Sequence, residues 1–114
     1  MNERILKWLY DIQGAIIEIE NYFKEYPKDF LQYKSNILLK RAVERDLEII
    51  GEAVNRIIRI DPEFPIENAR RIIGMRNQII HAYDNISDEN VWAILIKHVP
   101  LLKIEIEKLI KTTE

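Results

Sequence analysis

Apolar side chains recur along this chain every three to four positions, the period of an amphipathic helix, and nowhere alternate as they do in a half-buried strand. From about Glu3 to Tyr26 the stripe is Ile5, Trp8/Leu9, Ile12, Ala15/Ile16, Ile19 and Tyr22/Phe23, and Pro27 stops it. "KDFLQYKS" reads as a short helix. Asn36, a good N-cap residue, opens a second long helix that runs to about Arg59. Its stripe is Leu39, Val43, Leu47, Ile50, Val54 and Ile57/Ile58. Leu38, Ala42, Ile49 and Ala53 widen it, which predicts contacts on two sides, with two neighbouring helices or with a second subunit. "DPEFP", residues 61–65, is a break. A third helix is predicted from about Glu67 to about Tyr83, with its exit at Asp84 and Asn85. Ser87 caps a fourth, which has Asp88 and Glu89 in its first turn and continues to about Lys111. Pro100 lies inside it, where it removes one hydrogen bond and clashes with the turn before, so a kink is predicted near Lys97. The expected fold is all-α: an antiparallel up-and-down bundle of four to five helices, in one domain over residues 1–114. Its excess apolar surface predicts a homodimer packed through helices.

Composition narrows the function. With 47% hydrophobic and 32% charged residues the chain has a globular make-up, and its net charge is only −2. Attraction to nucleic acid must therefore come from a local basic patch. There is no cysteine, hence no disulfide and no thiolate chemistry. His81 and His98, the two histidines, fall on different predicted helices, so no metal site is expected. Gly14, Gly51 and Gly74 are isolated, which leaves no glycine-rich phosphate loop and no cofactor to expect. Charges at Glu3, Lys7, Asp11, Glu18 and Glu20 interrupt the first apolar stretch, so neither a signal peptide nor a membrane span is expected. A cysteine-free chain of this kind fits a reducing cytoplasm.

The chemistry gathers in "GMRNQIIHAYD", residues 74–84. At about 100° per residue, Arg76 and Tyr83 lie within about 20° of each other, and Asn77 and His81 about 40° apart. Arg76 and His81 are separated by about 140° and cannot meet comfortably on one straight helix. Two polar ridges result, with Ile79 and Ile80 as the anchor to the core. A two-fold axis near this helix would let the pair meet across subunits. Histidine can take or give a proton, arginine can hold a phosphate or stabilise a pentacovalent phosphoryl transition state, and asparagine can orient either. The set suits RNA cleavage by the neighbouring 2′-hydroxyl, which needs no metal. Arg70 and Arg71, one to two turns upstream, could extend the basic patch along a phosphate backbone. The plain alternative is a histidine and an arginine that are merely solvated or packed. Glu52 has two readings: a buried carboxylate that anchors Arg76 or tunes His81, or a surface partner of Arg56 at i+4. Trp8 and Trp92 read as core or interface aromatics, and His98 as an ordinary solvated or helix-end histidine without a role.

"RNQIIHAY" matches R-x4-H-x-Y, with "LEIIGEA" upstream and "VWAILIKHVPLL" downstream. In these segments, and over most of its length, the chain resembles the HEPN family in its HepT-like branch. The resemblance implies a helical homodimer with the motifs of both subunits in one cleft. It implies a metal-independent endoribonuclease that is the toxin of a toxin–antitoxin pair. The implied antitoxin is an MntA-like minimal nucleotidyltransferase that adds AMP to the motif tyrosine. Carried onto this sequence, Arg76 is the phosphate and transition-state arginine, His81 the general acid/base, Asn77 their polar support and Tyr83 the AMPylation target. Tyr83 shares a ridge with Arg76, so an anion on its hydroxyl could cover the arginine; the other reading of Tyr83 is a packing residue at the helix end. Competing with the toxin are a non-catalytic HEPN module that binds a nucleotide or serves a nucleotidyltransferase, and a purely structural helical dimer.

Overall fold

Short polar side chains set where the helices begin. In the computed structural model, which describes residues 2–67, 72–75, 77 and 87–114, Asn2 accepts from the Arg4 and Ile5 N–H groups and starts α1, Glu3–Glu25. Asp29 caps α2, Phe30–Ser35, through the Gln32 N–H. Asn36 closes α2 and at once caps α3, Ile37–Ile60, accepting from the Leu39 N–H at 3.0 Å. Ser87 accepts from the Asn90 N–H at 3.2 Å and starts α4, Asp88–Ala93. Each such cap is worth about 1 kcal/mol. The second and fourth predicted helices thus start where their caps placed them, the first starts at Glu3 as its stripe predicted, and no strand occurs among the described residues. The protein is all-α.

The third predicted helix is described only in part. Glu67 lies in a turn and residues 72–75 and 77 are helical; the predicted exit at Asp84 and Asn85 lies outside the described residues.

α4 does not pass straight into α5, Val99–Thr113. A π-helical segment, Ile94–His98, joins them. Pro100 has no N–H to give the Ile96 carbonyl, and its ring would press on that carbonyl in an α-helix. Widening the preceding turn relieves the conflict, and the Val99 N–H bonds the Ile94 carbonyl instead. The irregularity sits where the proline predicted it, as a π turn that keeps the rod continuous.

Polar contacts fix the directions of the helices. Tyr22 donates to Asp46 at 2.7 Å, and Lys103 pairs with Glu20 at 2.8 Å. Tyr10 meets Glu114 at the other end of α1. α1 therefore runs antiparallel to α5, while Lys40 and Asp88, 3.2 Å apart, tie the start of α3 to the start of α4. Between the helices Leu9, Ile12, Leu47, Ile57 and Ile106 are wholly excluded from water. Burial of such a side chain contributes about 1.5–3 kcal/mol. Trp92 is half-buried and packs against the core: Phe23 meets it edge-on at 5.9 Å, and Phe30 and Tyr33 tilt against it. The widened stripe of α3 is only partly covered, since Ala53 is buried, Ala42 and Ile49 half-buried, and Leu38 82% exposed.

One buried group opposes this economy. Asp46 is 1% exposed, and burial raises its carboxyl from 3.8 to about 6; Glu18 pushes the same way and the Tyr22 hydroxyl resists. A carboxyl raised in the folded state stabilises the fold while protonated, and that contribution is lost as pH rises through about 6. Asp46→Asn keeps the shape and removes the charge. It should match the wild type in urea denaturation near pH 4 and exceed it by of order 2 kcal/mol above pH 7. Equal differences at both pH values would refute the assignment.

Candidate active site

The helix carrying residues 72–75 and 77 is held by its apolar side. Ile72 and Met75 are 6% and 5% exposed. They line a small cavity together with Leu47 and Ile50 of α3 and with Ile94, His98, Val99 and Leu102 of the final rod. At 100° per residue, Asn77 lies about 140° from Ile72 and about 160° from Met75 on the wheel, and it is exposed. Gly74, one turn before Asn77, is exposed too, and a Cβ there would meet nothing within 4 Å. The outward side of this helix is polar and sterically open at its start.

The approach to it is fastened. Ile66 is buried, and the Glu67 N–H donates to both carboxylate oxygens of Glu105 on α5, at 3.2 and 3.1 Å. Burial holds the Glu105 carboxyl above its usual range, and the Glu67 N–H opposes that shift. The contact ties the Glu67 turn to α5.

Of the residues singled out from the sequence, Asn77 and Glu52 are described. Arg70, Arg71, Arg76, His81 and Tyr83 lie outside the described residues. Glu52 is half-buried, and the Arg56 Nε lies 3.1 Å from its carboxylate; the partners of its other reading, Arg76 and His81, lie outside the described residues. It also lines a groove between α1 and α3 together with Trp8, Asp11, Arg45, Glu48, Ile49, Ala53 and Arg56. Trp8 is thus a half-buried groove residue and not a full core aromatic. His98, read as solvated, is half-buried: its Nδ1 is shielded from water, and its ring lines the cavity beneath Ile72 and Met75. The signal was present, because Val91, Leu95, His98, Leu102 and Ile106 form one stripe at helical spacing. Among the described residues no group of His, Asp and Glu could hold a metal ion, and no helix is long and apolar enough to cross a membrane.

This bundle, with its outward Asn77 inside R-x4-H-x-Y, defines a class that the comparisons identify. The chain belongs to the HepT-like ribonuclease family, whose model, Ribonuclease HepT-like, matches residues 12–109. That family is a class of RNA-cleaving enzymes. Two proteins of Methanocaldococcus jannaschii, both provisionally named RNases, are 36% and 35% identical over the whole of this chain and 98% and 94% of their own lengths. A Thermococcus cleftensis protein named "Probable ribonuclease HepT" is 38% identical over 91% of this chain and 94% of its own. No solved structure matches.

Gly74 separates the needs of the fold from those of the site. In an exposed helical position with open space, Gly74→Ala should raise stability by about 0.5–1 kcal/mol in thermal denaturation. A loss of stability would show that the bare backbone is required by packing.

Proposed function

We propose that the chain is a metal-independent endoribonuclease, the toxin of a toxin–antitoxin pair, acting in the cytoplasm as a homodimer of single 1–114 domains. The observation that carries this reading is the intact set Arg76, Asn77, His81 and Tyr83 in a chain whose relatives, matched end to end, are named as RNases. A scaffold helix requires none of the four.

In the proposed reaction the substrate's own 2′-hydroxyl attacks the adjacent phosphorus. The 5′-oxygen of the next nucleotide leaves, giving a 2′,3′-cyclic phosphate and a 5′-hydroxyl. The nucleophile is part of the RNA, so no metal-bound water is needed. His81 takes the proton from the 2′-hydroxyl or returns one to the leaving oxygen, and Arg76 balances the charge that gathers on phosphorus. Asn77 supports either group, and Arg70 and Arg71 extend the phosphate contacts. Because Arg76 and His81 stand about 140° apart on one helix, the reading makes the cleft composite, with each subunit supplying part of it. The exposed Leu38, Leu31, Leu101 and Ile104 (82%, 72%, 62% and 53%) support a protein with apolar surface to cover. The antitoxin on this reading is an MntA-like nucleotidyltransferase. The Tyr83 oxygen attacks the α-phosphorus of ATP and pyrophosphate leaves, placing AMP on the ridge shared with Arg76.

Arg76→Ala and His81→Ala should each abolish growth arrest and lower RNA cleavage by about 10²–10⁴-fold, with wild-type cleavage unaffected by EDTA. Coexpressing the two variants should restore part of the activity, because a mixed dimer regains one complete cleft. Cleavage retained in His81→Ala would sink the nuclease mechanism, and failure to complement would sink the shared cleft. Tyr83→Phe should stay toxic but escape the antitoxin. Neutralisation that proceeds without an added AMP mass on the wild type counts against this modification.

A further inference from the structure

The positive charge of this chain is sorted by type. Seven of its eight arginines lie between Arg41 and Arg76, and no lysine lies in that stretch. Outside it, apart from Arg4, every basic residue is lysine. Four of the seven, Arg41, Arg45, Arg56 and Arg59, are on α3 and all are exposed. On the wheel they fall within an arc of about 60°, opposite the Leu47/Val54 side that packs into the core. From Arg41 to Arg59 they span about 27 Å of helix. Arginine, unlike lysine, offers a planar fork that binds phosphate bidentately and stacks on bases.

Beside this row lies the groove between α1 and α3, about 500 Å³, the size of a small-ligand pocket. Arg45 and Arg56 reach it from the row, and Trp8 supplies an aromatic wall from α1. Three carboxylates also line it. Asp11 is engaged by Lys7 at 2.8 Å and Glu52 by Arg56 at 3.1 Å, and Glu48 is the third. An aromatic ring between cations is the arrangement that holds single-stranded nucleic acid, and a carboxylate on its rim accepts from a base amino group.

We propose that the α1–α3 groove is a substrate-recognition subsite for single-stranded RNA: Trp8 stacks one base, the arginine row of α3 carries the flanking phosphates, and Glu48 selects amino-bearing bases over uracil. These are positioning and specificity residues, and the inference rests on the ribonuclease reading above. It adds to that reading a contact region made by α3 and α1.

The test uses full-length His81→Ala protein, which holds RNA without cutting it, and labelled oligomers of cytidine, adenosine and uridine. RNA should quench the indole fluorescence of the Trp92→Phe protein, in which Trp8 is the one indole left, and Trp8→Phe should remove the quenching. Arg45→Gln with Arg59→Gln, both at exposed positions, should weaken binding about tenfold and flatten the salt dependence of log Kd by about 1.4, two phosphates' worth. Glu48→Gln should narrow the preference for cytidine and adenosine over uridine. In the cleaving protein the arginine changes should raise KM. Unchanged affinity and salt slope in a protein that still cleaves RNA overturns the subsite while leaving the nuclease standing. A change of mass in light scattering without a change in RNA affinity overturns it in favour of a contact between copies of this chain. If the wild type neither binds nor cleaves RNA, the nuclease reading falls and takes the subsite with it.

Discussion

Leu47 and Ile50 of α3, Ile72 and Met75 of the site helix, and Leu102 of the final rod converge on one small cavity, and the site depends on that convergence. Close packing gives a helix one rotation about its axis, because an interior tolerates neither a void nor an extra methylene. With Ile72 and Met75 turned inward, helical geometry turns Asn77 outward. Asn77 thus takes its orientation from the apolar residues that precede it on the helix. The same holds for α3, where the inward Leu47, Ile50 and Val54 force the arginines to the opposite side. The carboxylate of Glu105 adds the second restraint, fixing the Glu67 turn from which the chain approaches the site helix.

What could be read in the sequence was what local physics decides. Asn36 and Ser87 announce helix starts because the cap bond reaches only two or three residues along the chain. Pro100 announces a disturbance for the same reason, but whether the helix bends or widens depends on what packs around it. The Glu52–Arg56 pair is a local i+4 contact and was one of two readings; a sequence cannot rank it against a long-range partner. His98 is half-buried because it falls on the Val91–Leu95–Leu102–Ile106 stripe, a position its polarity hides in the sequence. The α1–α3 groove was out of reach, since Trp8 and Arg45 come together only through the antiparallel register of two helices. The roles of Arg76, His81 and Tyr83 came from a motif resemblance and not from periodicity, which gave only their angular separations.

The core is not optimised for stability alone. Asp46 sits at 1% exposure between α1 and α3, where an apolar side chain would bury without a desolvation penalty. Its bond from Tyr22 fixes the register of the two helices, because a carboxylate that slips past its donor in a dry interface loses more than a leucine that slips past another. That register is what sets Trp8 of α1 beside Arg45 and Arg56 of α3. Specificity of alignment, gained at some cost in stability, has a consequence at the surface.

Arginine and lysine divide the chain for a physical reason that follows from the proposed chemistry. A lysine carries its charge as a hydrated point and suits the α1 and α5 surfaces, where Lys7 and Lys103 pair with Asp11 and Glu20. A strand of RNA crossing a helix presents planar phosphate edges and bare base faces, and the guanidinium matches both. A cleavage mechanism without metal leaves the neutralisation of phosphate charge to side chains, and these must stay charged while near one another. Arginine does so with a wider margin than lysine, which suits the exposed row of Arg41, Arg45, Arg56 and Arg59 on α3. The acidic residues in the same arc, Glu48 and Glu52, then temper the repulsion without discharging the row.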